Sequence, residues 1–204
     1  MDILEELRLE SYKIGDFQAL KYDRNASIFG ESYLPDLYFS LGEGRRSRFR
    51  RDNLKPLFCG MNDLSLPAIV AYWNTQKLII LGKWEGDVFR TGGVCWSHVT
   101  VGTKRKSAFG AYGFLRWTWG TDDIEVLGWL GLAALFESVD RINGQRYADN
   151  HLTARFMERF GFRDCGVVPE LLARGDDLVD CIISSCSKDD FTALLEQKIV
   201  DAAV

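Results

Sequence analysis

From Lys77 onward the hydrophobic period changes from helical to alternating, and this change constrains the fold more than any other feature of the 204 residues. Lys77-Leu-Ile-Ile-Leu81 is a short β-rich run, and Trp84-Glu85-Gly86-Asp87 reads as a hairpin turn. Thr91 to Val101 and Ser107 to Trp119 are rich in β-branched and aromatic residues, and the polar turn Gly102-Thr-Lys-Arg-Lys106 separates them. Three antiparallel strands in succession are predicted. Thr121 reads as the cap of a long helix over 122–139, with Asp122, Asp123 and Glu125 in its first turn and Ile124, Leu127, Leu130, Leu135 and Val139 on its apolar surface. Gly144-Gln-Arg-Tyr-Ala148 follows as a strand. A helix lying between consecutive strands is a crossover, so the expected class is α/β with a mixed sheet.

The stretch Asn150 to Phe162, NHLTARFMERFGF, combines a helix start, an amphipathic pattern and a stop. Asn150 can accept from the first free N–H groups, Leu152, Phe156 and Phe160 recur every four residues as one apolar stripe, and Gly161 supplies a left-handed residue to end the helix. Cys165 to Leu172 and Leu178 to Ser184 read as two strands around the turn 174–177. Ser187 with Asp190 resembles a capping box, opening a last helix with Phe191, Leu194, Leu195 and Ile199 on one face.

Upstream of Lys77 the pattern is weaker. A strand is expected around Asp16 to Tyr22 with a turn at Asp23 to Asn25, and a helix over Tyr33 to Leu41 that ends at Gly42. Asn62 or Asp63 reads as the cap of another helix, with Pro67 in its first turn and Ile69, Val70 and Trp73 packing inward. Hydrophobic residues make up 47% of the chain, enough for one substantial core and too few residues for two comfortable domains. A single domain over 1–204 is therefore expected, with its core over 67–186, an N-terminal part over 1–66 and a C-terminal helix over 187–204.

With a net charge of −4 there is no global drive toward nucleic acid or an anionic membrane. The arginine run over 45–51 could grip phosphates or an acidic partner, and reads more simply as a solvated helix face. The acidic N-terminus lacks the basic and apolar regions of a signal peptide, and no long apolar run is present. Five cysteines, an odd number without a C-x-x-C pair, argue against a disulfide framework and a zinc ribbon, so buried thiols are expected and a metal site is not.

Asn150 at a strand end, Arg155 and Phe156 in the following helix, and Gly161-Phe162 after it resemble the GNAT family of acyl-CoA-dependent N-acetyltransferases. The aromatic piece Phe114-Leu-Arg-Trp-Thr-Trp-Gly120 before the long helix looks most like the divergent GNAT-type proteins of tailed bacteriophages. The resemblance covers about 77–186 and implies a GNAT-like mixed, mostly antiparallel sheet flanked by helices. It also implies a V-shaped gap, between strands ending near Trp119 and Ala148, into which the pantetheine of acetyl-CoA inserts. Backbone groups of Phe114, Leu115 and Arg116, the loop at Gly120 and Thr121, and Asn150 are the residues it places at the cofactor.

Two positions depart from the family pattern. The pyrophosphate loop, Q/R-x-x-G-x-G/A in the family, corresponds here to Trp117, Gly120 and Asp122, and the carboxylates of Asp122, Asp123 and Glu125 stand where a pyrophosphate would lie. Met157 occupies the place of the tyrosine that protonates the departing thiolate, and a thioether has no proton to give. The role then falls to Tyr112, as a candidate acid, or to water. His98 is the candidate base, although a lone histidine among aromatics reads first as a core residue. The function expected is that of a GNAT-fold protein degenerate at its cofactor site and acting through protein contacts, as a virion component, an assembly protein or a homo-oligomer. Its expected location is the bacterial host cytoplasm or the virion. The alternative is an acetyl-CoA-dependent N-acetyltransferase with an atypical pyrophosphate loop. The acidic balance argues against the remaining reading, a nucleic-acid-binding module.

Overall fold

The computed structural model describes residues 11–43, 54, 57–58, 61, 63–101, 104–174 and 177–202. The elements run β1 (Lys13–Ile14), β2 (Phe17–Lys21), α1 (Tyr33–Gly42), α2 (Leu66–Trp73), β3 (Ile79–Glu85), β4 (Val88–Val101) and β5 (Lys106–Phe114). A 3-10 turn (Arg116–Thr118) leads to α3 (Asp123–Phe136), β6 (Arg141–Tyr147), α4 (His151–Arg159), β7 (Arg163–Arg174), β8 (Asp177–Ser187) and α5 (Lys188–Ala202). The strands form one eight-stranded sheet in the order β1-β2-β3-β4-β5-β6-β8-β7. Its β5/β6 pair is parallel, as the α3 crossover requires, whereas β2/β3, β3/β4, β6/β8 and β7/β8 are antiparallel. This is the mixed, mostly antiparallel sheet with flanking helices that the sequence implied. The chain divides into two compact units, an N-terminal one of Ser11–Ser97 with Ala111–Gly131, and a C-terminal one built from His98–Gly110 and Leu132–Val204.

In the N-terminal unit, β3 is buried from Ile79 to Gly82 and pairs with β2 on one side and β4 on the other. The β3/β4 hairpin turns on two residues, Gly86 and Asp87, since Glu85 faces Val88. Against this sheet lies an aromatic core in which the Phe58 ring sits 5.1 Å from Trp96 and 5.6 Å from Trp73. The Tyr38 hydroxyl donates to the Leu64 carbonyl at 2.9 Å and ties α1 to the segment before α2. That segment is capped differently from the expectation. Ser65 is the N-cap of α2, and Asp63 instead accepts from the Ser65 N–H at 2.8 Å, an Asx turn one step upstream. Asn62 and the arginine run 45–51 lie outside the described residues.

The expected strand Ser107 to Trp119 ends early, at Phe114. The Leu115 N–H donates to the Gly92 carbonyl at 2.7 Å, after which the chain tightens into the 3-10 turn, so Trp117 and Trp119 are turn residues. The predicted helix 122–139 spans Asp123–Phe136, and the Thr121 hydroxyl donates back to Thr118 at 2.9 Å instead of capping it. From Leu127 to Phe136 every residue is buried, so α3 is buried all round and presents no single apolar stripe.

In the C-terminal unit Asp140 joins three elements. Its N–H donates to the Lys106 carbonyl at 2.9 Å, its carboxylate accepts from the Lys106 N–H at 2.8 Å, and its own carbonyl accepts from the first residue of α5, Lys188, at 2.9 Å. Asn150 caps α4 as expected, its side chain accepting from the Thr153 N–H at 3.1 Å. Gly161 has φ +83°, so its conformation favours glycine, and a Cβ there would also press on the end of the Leu194 side chain at 2.7 Å. The stripe on α4 is shorter than predicted. Phe160 is buried and packs on Phe156 at 4.7 Å, but Leu152, in the first turn of the helix, is 77% exposed. Cys95, Cys181 and Cys186 are buried, whereas Cys165 is exposed on β7. Among the described residues no helix is long and apolar enough to cross a membrane.

The capping box before α5 closes in both directions, the Ser187 hydroxyl donating to Asp190 at 2.6 Å and accepting from the Asp190 N–H at 3.1 Å. That bond from Ser187, followed by the positive charge of Arg163, holds the Asp190 carboxyl below its ordinary range. A carboxyl depressed in the folded state adds stability above its unfolded pKa of about 3.9 and loses it as pH falls through the folded value. Ser187→Ala is therefore expected to lower the melting temperature near neutrality. The deficit should shrink in melts taken at progressively lower pH, and a deficit constant down to strong acid would refute the assignment.

Candidate functional site

The segment that the resemblance places at a cofactor lies wholly in the N-terminal unit, where β5 ends, the chain turns and α3 begins. Glycines let this turn sit close to β4. A Cβ on Gly92 would stand 2.6 Å from Leu127, 2.9 Å from Trp117 and 3.0 Å from Thr118. Trp117 is oriented from both ends, its indole N–H donating to the Thr91 carbonyl at 2.7 Å and Arg90 stacking on its ring at 4.3 Å. Arg90 in turn pairs with Glu85 at 3.0 Å. Gly92→Val should consequently overpack the turn and destabilise the chain by about 2–3 kcal/mol, with loss of the Trp117 indole signal from its native position in a proton–nitrogen spectrum.

Phe114 and Leu115 are half-buried, Arg116 is exposed, and Gly120 and Thr121 follow on the surface. The Trp119 indole N–H donates to the Phe114 carbonyl at 3.1 Å while the side chain stays 48% exposed. An indole in water needs no protein acceptor, so this bond folds Trp119 back over the last residue of β5. Asp122 supplies the carbonyl that accepts from Glu125 and Val126, and it is therefore the flanking residue immediately before α3. The N–H groups of the next two residues have no intrahelical acceptor, and the helix dipole makes this end weakly attractive to anions. Asp123 and Glu125 lie in the first turn of this helix, and Asp122 immediately precedes it.

Tyr112, the candidate acid, lies on β5 with its hydroxyl enclosed against the Cys95 thiol, without the geometry of a hydrogen bond. Burial, reinforced by Cys95, pushes the phenol well above its ordinary value, and burial likewise pushes the Cys95 thiol up. Both groups keep their protons, and this hydroxyl has no route to solvent in the conformation described. His98, expected in the core, is exposed on β4 and belongs to the C-terminal unit. Asn150 also lies in that unit, with its side-chain oxygen engaged in the α4 cap. Phe114, Leu115, Arg116, Gly120 and Thr121 are thus brought together as one surface segment. Trp119 belongs to the N-terminal unit and Ala148 to the C-terminal one.

One feature of this region has no signal in the sequence. Ser40 and Glu43, at the C-terminal end of α1, line an open groove of about 410 Å³ with Leu115, Arg116 and Trp117. Nothing local in the sequence links Ser40 or Glu43 to a turn far along the chain.

No protein-family model and no curated protein matches the sequence. Solved structures do match the fold, which is that of GNAT acetyltransferases. Spermidine N-acetyltransferase from Vibrio cholerae, solved with CoA and spermine, has a TM-score of 0.66 at 10% identity over 87% of this chain and 99% of that one. RimJ from Mycobacterium smegmatis, in complex with CoA-disulfide, has a TM-score of 0.61 at 16% identity over 81% of this chain and 84% of its own. A GNAT-family acetyltransferase from Bacillus anthracis has the same TM-score at 12% identity, covering 87% of this chain and 98% of that one.

Proposed function

We propose that this chain is a GNAT-fold protein whose cofactor end has been given over to its own side chains and which works through protein contacts. The observation that carries the reading is the Trp119 indole bonded to the Phe114 carbonyl, at the strand end where the resemblance seats pantetheine. The helix start supports it. A helix dipole favours an anion by about 0.3–1 kcal/mol, and each nearby carboxylate opposes it by a comparable amount, so three of them reverse the sign. The proposed setting, a virion or a host-protein contact in a bacterial cytoplasm, follows from the phage resemblance of Phe114 to Gly120. Homo-oligomerisation is one form the protein contact can take.

Calorimetric titration with acetyl-CoA is the direct test. Wild type is expected to show no binding at micromolar concentration, and Trp119→Ala with Asp122→Gly to gain affinity by about 10- to 100-fold, the return of about 1.4–2.8 kcal/mol. Micromolar or tighter binding by wild type would refute the degenerate reading.

A second reading, an active N-acetyltransferase, is favoured by Gly120. Its φ of +78° and the open space around it keep a loop that can approach a ligand closely. In that case a neutral amine attacks the thioester carbonyl, backbone N–H groups near Phe114 to Arg116 other than that of Leu115, which is bonded to Gly92, hold the developing oxyanion, and collapse of the adduct breaks the C–S bond, the amine's proton leaving with the CoA thiolate as the free thiol. Acetyl transfer to a panel of amines and peptides separates the two readings, since the first expects none.

A further inference from the structure

Three of the four most exposed large apolar side chains among the described residues lie in one region of the C-terminal unit: Leu152, 77% exposed, on the first turn of α4, and Leu178 and Val167, 59% and 57% exposed, on the β7/β8 hairpin. Register and alternation put them on one face. Gly144 of β6 lies under α4, since a Cβ there would stand 2.5 Å from the Met157 methyl, and Gly144 faces Ser184 across the β6/β8 pair. Side chains two apart on a strand share a face, so Ser184, Ile182, Asp180 and Leu178 point to the α4 side, and Val167 joins them opposite Ile182. The hairpin is held beside the start of that helix, because the Ala148 N–H donates to the Asp180 carbonyl at 3.1 Å and Arg174 donates to Asp149 at 2.8 Å, two residues before α4 opens at His151.

The free edge of β7 is closed to strand addition. Pro169 has no N–H to offer, the ladder shifts register between Asp164 and Gly166 and again between Val168 and Leu172, and Glu170 sits at φ +52°. A partner therefore meets this region through its face. The charges across that face are of opposite sign. On the helix side Arg155 is exposed, and among the described residues its guanidinium has no hydrogen-bond or ion-pair partner. On the hairpin side stand the exposed carboxylates of Glu170 and Asp180, and the turn residues Gly175 and Asp176 add no positive charge to them.

We infer that this face is a two-fold interface between copies of the chain, in which α4 of one copy lies on the β7/β8 hairpin of the other. A patch with exposed apolar side chains and opposite charges on its two flanks is complementary to itself when turned about a two-fold axis. Arg155 of each copy then meets the hairpin carboxylates of the other, and the leucines on the two flanks are covered twice over. Four apolar side chains, Leu171 included, and a nine-residue helix form a small patch, so the dimer is weak, with Kd about 1–100 μM. The inference goes beyond the reading above, because every residue it uses belongs to the C-terminal unit and the contact forms whether or not acetyl-CoA binds.

The test is sedimentation velocity of the full chain over a concentration series of about 1–500 μM. Wild type is expected to pass from monomer to dimer within that range. Leu152→Glu and Leu178→Glu should each weaken association by about tenfold or more, because the two-fold axis places every substitution in the interface twice. Arg155→Glu should weaken it as well, and adding Glu170→Lys, which reverses the opposite flank, should tighten association again relative to Arg155→Glu alone. All four side chains are exposed, and unchanged melting curves verify that the variants fold. A monomer throughout the series, a dimer that neither leucine substitution weakens, or a double variant no tighter than Arg155→Glu would each overturn the inference. None of these results bears on the acetyl-CoA titration, so the two proposals fail separately.

Discussion

Trp73→Ala is expected to destabilise the chain by about 3–5 kcal/mol, the range for truncating a buried aromatic, and to lower the melting temperature by about 10 °C. Trp73 is 1% exposed at the end of α2, with Phe58 at 5.6 Å and Trp96 at 6.0 Å. Removing its ring opens a cavity at the centre of the aromatic cluster and forfeits edge contacts worth about 0.5–1.5 kcal/mol per pair. The indole N–H adds a sharper expectation, because it is buried without a hydrogen-bond partner among the described residues. An unmet buried donor costs about 1–3 kcal/mol. Trp73→Phe loses volume and also removes that donor, so its stability should fall within about 1 kcal/mol of wild type. Denaturant titration of the two variants checks the pair of values, and equal losses in both would show that the N–H is worth keeping.

The second large effect concerns Arg146. Its side chain is 6% exposed on β6, and its guanidinium donates to Asp164 at 2.7 Å, while Nε has no partner among the described residues. Asp164 also accepts from the Ser184 hydroxyl at 2.6 Å. Asp164→Ala would leave a buried cation with almost nothing opposite it. Breaking a fully buried pair costs about 3–5 kcal/mol, and because the Asp164 side chain is 54% exposed, water can replace part of the contact, which brings the expected loss to about 2–3 kcal/mol. Arg146→Met added to Asp164→Ala should recover at least half of it, since the uncompensated charge is then gone. A double variant as unstable as the single one would show that the loss comes from elsewhere. The Arg174 to Asp149 pair is the contrast. It is bidentate and stacked on Tyr147, but both side chains face solvent, and Arg174→Ala should change stability far less.

The features legible in the sequence are those whose partners are close along the chain. The Asn150 cap, the Gly161 stop and the Ser187–Asp190 box each close within three or four residues, so residue type and spacing suffice. Trp117 and Trp119 were misplaced on a strand because alternating aromatics satisfy β periodicity, whereas an indole N–H goes where an acceptor is. For Trp117 that acceptor is Thr91 on β4, which no local pattern reveals. Leu152 was assigned to the buried face because helical spacing reports a direction, not whether anything covers it. His98, the candidate base, reads first as a core residue from its aromatic neighbours and is exposed, because composition along a strand does not say which face is covered.

For the candidate site, the surface segment Phe114 to Thr121 could be located from the order of strand, turn and acidic helix start. The groove could not, because Ser40 and Glu43 reach it only through the packing of α1. Arg146 was equally silent, since one arginine in a short alternating strand gives no sign that it points inward.

The sequence by itself determined the order of elements, the parallel β5/β6 pair through its crossover helix, the caps, and the acidic start of α3, because these rest on periodicity, chain connectivity and contacts within a turn. Only the tertiary structure decided where β5 stops, that Trp119 folds back on Phe114, and which side chains line the groove. Those outcomes depend on hydrogen-bond acceptors and packing surfaces supplied by distant segments, and a linear pattern carries no record of the distance between them once folded.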